Sequence, residues 1–488
     1  MFKYLLFTFI ILGEMAMAQD IEFANRLFYN YPQYKEASLA KRRFRHSDIV
    51  PLIEKLGKDG KFVVKTAGKS AGGRDVYLIK IGDGKSKIFL WSQMHGDEST
   101  ATMALFDIFN FFSSNDSFND IREKILSNTS IYFMPMVNPD GAEIFQRRNL
   151  FEIDINRDAI LQQTPEAQIL KNTFDEIKAE FGFNLHDQSI LNSAGHNFKP
   201  ATLSFLAPAM NYEKSIDSIR SKSIKLIGSV SNIMTNFIPG HIAKYPDDFE
   251  PRAFGDNFQK WGTSTILIES GGWENDPEKQ FIRKLNFVAL MSAIYSIAEK
   301  SYLNEPLETY DKIPFNEKDI MNLIIRNLRY KKNGIDYTLD IGITRTEENT
   351  GNCDGFYYKS TTEDIGDLSV YFGYEDIDLN GFEVSPGKTF PKIFNSFGEL
   401  EKLNFIDLYK EGFTNVILSS KDKIADYCTL PINIIKTIDP ADFEGIKVGL
   451  VPNLVIKKND EVKFIVLNGF LFDLTNKTGE IKNGLITD

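Results

Sequence analysis

The sequence predicts an α/β domain followed by a β-rich domain. The chain has 488 residues, which is too many for one ordinary core. Apolar strand-like runs alternate with helical patterns up to about residue 300, as parallel βαβ units do. The stretch NEPLETYDKIPFNEKD that follows is polar, and strand patterns dominate beyond it. We therefore expect an α/β domain over 19–303, and a linker with a β-rich accessory domain over 304–488.

Composition narrows the class of protein. Hydrophobic residues make up 42% and aromatic residues 13% of the chain, which is typical of a globular protein. The formal net charge of −11 argues against a nucleic-acid partner. Only two cysteines occur, Cys353 and Cys428, so neither a disulfide scaffold nor a cysteine-rich zinc site is expected.

The first 18 residues have the pattern of a secretory signal peptide. Lys3 precedes an apolar run over 5–12 that is too short to span a bilayer, and Ala16-Met17-Ala18 has the form of a cleavage site. We expect cleavage before Gln19 and export, giving a periplasmic or secreted protein. No cysteine lies near this site, and no later stretch has the pattern of a spanning segment, so we expect no membrane anchor.

The pattern places the main elements along the chain. Helical spacing is found over 20–60, 99–113, 163–179, 216–237 and 277–300. Apolar strands are predicted over 76–81, 87–95, 131–137, 183–186 and 264–268. In the C-terminal part, Asn333-Gly334 and Asn468-Gly469 lie between apolar runs and predict tight hairpin turns.

His95 and Glu98 lie in the stretch KIFLWSQMHGDE, at the predicted carboxyl end of a strand and just before a helix. Open α/β sheets place their ligand sites at this end. An imidazole and a carboxylate on one tight turn can bind the same Zn²⁺ ion. The HxxE pattern alone is weak evidence for a metal site, because a surface histidine followed by a glutamate at a helix N-terminus has the same pattern.

Other polar residues lie at or near further strand ends. His186 closes the run FNLH, and Glu269 ends STILIE before two glycines. Each has a structural alternative, since a buried histidine is often only hydrogen-bonded. The segment 146–158 clusters charged and amide side chains after the turn Asn138-Pro139-Asp140-Gly141, and alone it is typical of a salt-bridged surface loop.

Taken together, these motifs resemble the zinc metallocarboxypeptidases, the carboxypeptidase A-like family. The resemblance covers roughly residues 30–300 and follows the family's order: HxxE at 95–98, NPDG at 138–141, RxN at 147–149, DxNR at 154–157, a strand-end His186, and ESGG at 269–272. It implies an α/β/α sandwich around a mixed, mainly parallel eight-stranded sheet. It also implies an exported metallopeptidase.

The resemblance assigns a metal centre. His95, Glu98 and His186 match the family's zinc ligands and imply one Zn²⁺ per chain with an open position. Asp154 matches the acid that orients a zinc-bound histidine, and such a bond fixes the tautomer of the ring.

The resemblance also assigns the catalytic and substrate-binding groups. Glu269 matches the general base, and Arg147 the arginine that stabilises the oxyanion. Asn156 and Arg157 match the pair that binds the terminal carboxylate of the substrate. Tyr245 is the candidate for the substrate-capping tyrosine.

Some positions depart from the family pattern. Asp-Gln follows His186 where many relatives have a small hydroxyl residue. Arg252, Phe254 and Asp256 all lie near the specificity position, so side-chain preference stays open. We expect structural or surface roles for the two remaining histidines in this region. They are His196 and His241.

Three functions are compatible with the motifs. The first is a zinc carboxypeptidase acting on peptides, either protein C-termini or cell-wall stem peptides. The second is an inactive peptide- or glycan-binding module on the same fold. The third is a related hydrolase, a cell-wall peptide amidase or an N-acyl amino acid hydrolase. The first is favoured because every chemical position is filled.

Overall fold

The computed structural model describes residues 17–419, 425–436 and 445–487. The chain forms two compact units, the first ending at Lys318 and the second beginning at Asp319. Of the predicted signal peptide, residues 1–16 lie outside the described residues, so its cleavage stays a prediction.

The first unit alternates helices and strands. Its helices are α1 (17–30), α2 (His46–Asp59), α3 (Thr100–Ser113), α4 (Asn119–Asn128), α5 (Pro139–Glu143), α6 (Pro165–Ile177), α7 (Ser218–Met234), α8 (Phe254–Lys260), α9 (Gln280–Glu299) and α10 (Glu308–Asp311). Its strands are β1 (Val63–Lys69), β2 (Asp75–Ile81), β3 (Ser86–Ser92), β4 (Thr129–Met134), β5 (Phe181–Asp187), β6 (Ser193–Ala194), β7 (Leu203–Leu206), β8 (Ile242–Lys244), β9 (Ser264–Ser270) and β10 (Asn316–Glu317).

Eight strands form one mixed sheet in the order β1-β2-β4-β3-β5-β9-β7-β8. The four central strands β4, β3, β5 and β9 are parallel neighbours. The flanking strands β2 and β7 pair with this parallel block in the antiparallel sense. The mixed eight-stranded sheet implied by the family resemblance is confirmed.

Both faces of the sheet are covered by helices. Along β3, Ile88 and Leu90 join one buried cluster, to which α3, α7 and α9 contribute, while Phe89 and Trp91 join a second cluster with α6 and α8. Successive side chains of a strand point to opposite faces, so the two clusters lie on opposite sides of the sheet. The first unit is therefore an α/β/α sandwich, as predicted.

Helix α9, with 20 residues, is the longest helix of the described chain. By length and composition alone it could cross a membrane, and among the described residues no other helix passes that test. Its side chains are buried along almost the whole helix, including Leu285, Val288 and Ile294. A core helix of a folded domain has this composition too.

Three local predictions differ from the structure. Strand β3 ends at Ser92 rather than at His95, because Gln93 adopts a left-handed conformation with φ of 52° and turns the chain. The turn 138–141 begins the short helix α5, which is capped by the Asn138 side chain. Helix α8 was not predicted, since its seven residues are too few for a helical period to show.

The segment predicted as a linker packs on the first unit. The backbone N–H of Ala207 donates to the Tyr310 hydroxyl at 3.2 Å, and that of Lys244 donates to the Pro314 carbonyl at 2.7 Å. Strand β10 pairs with β6, and Ile313 is buried. These contacts explain why the division between units falls after Lys318 rather than at 303.

The second unit is built from strands, as predicted. They are β11 (Ile320–Lys332), β12 (Ile335–Asn349), β13 (Phe356–Gly366), β14 (Phe372–Asp378), β15 (Glu383–Pro386), β16 (Lys388–Phe394), β17 (Phe413–Leu418), β18 (Tyr427–Cys428), β19 (Asn433–Ile435), β20 (Asn453–Lys458), β21 (Glu461–Leu467), β22 (Phe470–Asp473) and β23 (Gly484–Thr487), with the short helices α11 (Phe397–Leu400) and α12 (Phe405–Lys410).

Both predicted hairpin turns of the second unit are present. Asn333 and Gly334 join β11 to β12, and Asn468 and Gly469 join β21 to β22. All four have positive φ, as the favoured two-residue hairpin turns require. Cys353 and Cys428 are both free.

The packing of residues 304–318 predicts the minimal stable first unit. A chain ending at Lys318 should be more stable than one ending at residue 303, by about 3–6 kcal/mol, because the shorter chain loses Tyr310 and Ile313 at ~1.5–3 kcal/mol each. Urea unfolding of the two fragments measures the difference. Equal midpoints and slopes would show that the segment does not stabilise the unit.

Candidate active site

Three buried side chains converge beside the carboxyl ends of β3 and β5. The Glu98 carboxylate lies between two imidazoles, with His95 Nδ1 2.7 Å from Oε1 and His186 Nδ1 2.6 Å from Oε2. One ligand atom from each of these residues lies within 4.8 Å of the other two. The fold therefore brings Glu98 into contact with His186, which lies 88 residues further along the chain.

The loop that carries His95 and Glu98 depends on one close backbone approach. A Cβ atom at Gly96 would lie 2.1 Å from the Gly141 carbonyl carbon, so no larger residue fits at this position. Gln93 Nε2 donates to the Gly96 carbonyl at 2.9 Å. These contacts hold His95 and Glu98 in a fixed turn against α5.

The same turn of α5 fixes the position of Arg147. Asn138 Oδ1 accepts from the Gly141 N–H at 2.9 Å, and Asn138 Nδ2 donates to the Arg147 carbonyl at 3.3 Å. The NPDG motif therefore links the metal-binding loop to the segment that supplies the cationic side chains.

Asp154 orients both His95 and Arg147. Its Oδ1 lies 3.0 Å from His95 Nε2, and its Oδ2 accepts from Arg147 Nε and Nη2 at 3.1 and 2.9 Å. With Nε2 held in this way, Nδ1 of His95 faces Glu98, which is the arrangement of a histidine ligand with an acidic partner behind it. Arg147 Nη1 also lies 3.2 Å from Glu98 Oε1.

The electrostatics of the triad show how strongly its charges depend on each other. Burial opposes ionisation of Glu98, but the two imidazoles hold its pKa well below the usual range. Burial likewise opposes a charge on His95, yet Glu98 and the bond to Asp154 raise its pKa to about 9. Burial and the neighbouring His95 lower the pKa of His186.

This donor set fits a zinc ion. Two imidazole nitrogens and one carboxylate, all facing one point, are the ligands of catalytic zinc sites, which keep one position open. The orienting contact of Asp154 supplies the outer partner that such a histidine ligand requires.

Glu269 lies beside the triad on the neighbouring strand. It pairs with His186 in the parallel ladder of β5 and β9 and is 9% exposed. Its Oε2 has no hydrogen-bond partner, and it forms no ion pair, among the described residues. Burial, with the charges of Glu98 and Asp187, raises its pKa well above the usual range.

The triad and Glu269 open onto one cavity of about 530 Å³. Arg157 lines this cavity and is partly exposed; its Nη1 donates to the Asn156 carbonyl at 2.8 Å, and its Nε lies 3.5 Å from Glu250. Tyr245 also lines the cavity and is 36% exposed. The guanidinium of Arg157 is thus available to an anion in the cavity.

Asn156 was predicted to bind the terminal carboxylate of the substrate, but its side chain also forms contacts within the protein. Its Oδ1 accepts from the Phe254 N–H at 2.9 Å, and its Nδ2 lies 3.5 Å from His186 Nε2. The amide thus joins β5 to the start of α8. It still lines the cavity, so a contact with substrate stays a prediction.

The structure also separates the candidates near the specificity position. Asp256 lines the cavity, whereas Phe254 is buried in the core and Arg252 is exposed and bonded to Glu250. His196 and His241 do not line the cavity.

Sequence reasoning missed several residues that line the cavity, among them Asn184, Gly255 and Leu267. The sequence offered one indication of Asn184: it is the polar residue within the apolar run FGFNL of β5.

Comparisons with known proteins find similarity to zinc carboxypeptidases. Residues 52–199, which include all three triad residues, match the family model described as zinc carboxypeptidase. The chain is 32% identical over 97 residues to carboxypeptidase SOL1 of Arabidopsis thaliana, covering 19% of this chain and 20% of that protein. It is 40% identical over 81 residues to carboxypeptidase B of Astacus astacus, covering 16% and 26%.

A metallo-carboxypeptidase from Burkholderia cenocepacia of known structure aligns at 14% identity with a TM-score of 0.44, covering 53% of this chain and 70% of that one. The segments that match carboxypeptidase SOL1 and carboxypeptidase B span only about a fifth and a quarter of those proteins' own lengths.

Metal binding should depend on the triad in a graded way. The protein should hold about one zinc per chain; His186→Ala should largely abolish binding, and Asp154→Asn should weaken it ~10–100-fold, as loss of an orienting partner does. Elemental analysis and chelator competition measure both effects. His241→Ala, a histidine outside the cavity, is the control and should keep its zinc. Full zinc in His186→Ala would remove that residue from the site.

Proposed function

We propose that this protein, whose first unit contains a domain of the zinc carboxypeptidase family, is an exported zinc carboxypeptidase that removes the C-terminal residue of a peptide. The observation that carries the proposal is the position of Glu269. It is a buried carboxylate without an ion pair among the described residues, and it opens onto the cavity shared by the triad and Arg157. A structural carboxylate at such a place would have a partner.

The metal supplies one part of the chemistry. His95, Glu98 and His186 would hold the zinc ion, which would supply Lewis-acid chemistry at the scissile carbonyl and a lowered pKa for water.

The chain's own residues supply the proton transfers. Glu269 accepts a proton from the water whose oxygen attacks the carbonyl carbon. It returns this proton to the nitrogen as the C–N bond breaks, so that the leaving group departs as a neutral amine. Burial raises the pKa of Glu269, which suits a group that must first take and then return a proton.

Arg147 is placed to stabilise the negative charge that develops on the carbonyl oxygen. Its guanidinium is anchored on one side by Asp154 and lies next to the triad, while 43% of the side chain remains exposed. A fixed donor of this kind costs no reorganisation when charge develops.

Arg157 is placed to hold the terminal carboxylate of the substrate. Its Nη2 has no hydrogen-bond partner among the described residues and belongs to a side chain that lines the cavity. A guanidinium can bind a carboxylate with two parallel hydrogen bonds, which fixes the last peptide bond in place. Tyr245 lies in the same cavity, where its ring can cover the bound residue.

The N-terminal sequence bears on where the protein acts and which peptides it meets. The pattern of residues 1–18 supports secretion or a periplasmic location, where both protein C-termini and cell-wall stem peptides occur. An inactive binding module is disfavoured because the sequence lacks none of the predicted ligands, nor Glu269 or Arg147.

Removing the proton carrier should abolish turnover selectively. Glu269→Gln should keep its zinc and bind peptide, but lose at least ~10²-fold in kcat, the low end of a general acid–base contribution. Stopped assays of product release measure kcat. Glu176→Gln, an exposed carboxylate that is paired with Lys65 and does not line the cavity, is the matched control. Turnover by Glu269→Gln near the wild-type rate would contradict the mechanism.

Removing the Arg157 guanidinium should impair cleavage only of substrates that end in a free carboxylate. Arg157→Ala should lower kcat/KM roughly 10–100-fold on a peptide acid, as loss of a charged hydrogen bond does, and change it little on the peptide amide. Arg252→Ala is the control, since Arg252 also contacts Glu250 but does not line the cavity. Equal wild-type activity on acid and amide would refute the exopeptidase assignment.

A further inference from the structure

The last residues of β5 and β9 are joined by a buried lysine that precedes helix α9. Asp187 and Ser270 end these two strands and lie opposite each other in the parallel ladder. The Lys279 ammonium donates to Asp187 Oδ2 at 3.2 Å and to the Ser270 carbonyl at 2.8 Å. Only 5% of the Lys279 side chain and 7% of the Asp187 side chain are exposed. This strand-end ion pair, Asp187 with Lys279, therefore ties two neighbouring strands together where they end.

The strand-end ion pair lies one residue beyond the candidate catalytic groups. His186 precedes Asp187 on β5, and Glu269 precedes Ser270 on β9. Because Glu269 Oε2 has no hydrogen-bond partner among the described residues, the position of this carboxylate depends on its backbone. A misplacement of about 1 Å can cost ~100-fold in rate. The alignment of Glu269 with His186 thus depends on how firmly the two strand ends are held.

The same ion pair also contacts the segment that carries Glu98. The backbone N–H of Asp187 donates to Glu98 Oε2 at 3.2 Å, and Asp187 Oδ2 accepts from the Thr100 hydroxyl at 2.6 Å. Thr100 is the first residue of α3 and follows Glu98 by two positions. Glu98, His186 and Glu269 therefore each lie within two residues of a group that the ion pair holds.

The backbone of Lys279 is held in a costly conformation. It is left-handed, with φ of 49° and ψ of 34°, immediately before α9 begins. Such a conformation is uncommon for a residue with a side chain, and it persists only where the surrounding contacts fix it. Besides the ammonium contacts, Asn286 of α9 donates to the Ser270 hydroxyl at 2.9 Å. The start of α9 is thus fastened to the end of β9 at two points.

We propose that the strand-end ion pair positions the active site, by holding the ends of β5 and β9 so that Glu269 faces the metal ligands. The inference rests on the proposed function and adds Asp187 and Lys279 to it as positioning residues. Lys279 does not line the cavity, so it acts through the strand ends and not on the substrate. Stability alone is a poor reason for such a pair, because well-packed apolar residues often stabilise a protein as well as a buried ion pair does.

Two variants of the full-length, zinc-loaded protein separate positioning from stability. Lys279→Met removes the ammonium and leaves the Asp187 carboxylate buried without its cation, which lowers the urea midpoint. Adding Asp187→Asn removes that charge, keeps an acceptor for Thr100, and should raise the midpoint again. In both variants kcat should stay roughly 10–100-fold below the wild type, with KM little changed. Arg122→Met, which breaks a buried pair with Asp116 away from the cavity, is the control and should lose stability but keep kcat.

Hydrogen exchange followed by mass spectrometry measures the positioning without an activity assay. In Lys279→Met, or in the double variant if Lys279→Met does not fold, the amides of 186–188 and 269–271 should exchange roughly 10–100-fold faster, as loss of a charged hydrogen bond predicts. Arg122→Met should leave them unchanged. If the wild type cleaves no peptide, the proposed function fails, and exchange alone decides this inference. Wild-type kcat in the folded variants, an equal loss of kcat in Arg122→Met, or unchanged exchange at the strand ends would overturn it.

Discussion

The Glu98 carboxylate, buried between two imidazoles, is the interaction on which the site depends. Removing this charge from water is costly, and it is tolerated because His95 and His186 both point at it. That convergence requires strands β3 and β5 to be parallel neighbours. It also requires the close approach of Gly96 to α5, which fixes the loop carrying two of the three residues. The order of the strands and the small size of Gly96 are therefore both needed to bring the three side chains of the triad together.

Charges are separated along the cavity, and this separation explains how one residue of a substrate can be held at several points. The triad and Glu269 line it together with the guanidinium groups of Arg147 and Arg157, and the Asp256 carboxylate lines it as well. Under the proposed function, the Arg157 guanidinium holds the terminal carboxylate of the substrate. Glu269 acts from the strand next to the one that carries His186.

The candidate metal ligands could be predicted from the sequence, whereas several residues that line the cavity around them could not. His95, Glu98 and Asp154 could be named because they occur in short motifs, and His186 because it closes an apolar strand. The inner wall could not, because Asn184 is one amide in an apolar strand and α8 is too short to show a period. The predicted end of β3 at His95 was wrong, since the left-handed Gln93 is invisible in a hydrophobic pattern.

Anomalous diffraction at the zinc edge tests the central claim most directly, because it locates the metal without reference to activity. The account predicts a single strong peak in the first unit, in bonding contact with Nδ1 of His95, Nδ1 of His186 and the Glu98 carboxylate, with Glu269 facing it from β9. A zinc-loaded crystal with its peak elsewhere, and with Glu98 still hydrogen-bonded to both rings, would contradict the metal centre and the mechanism built on it.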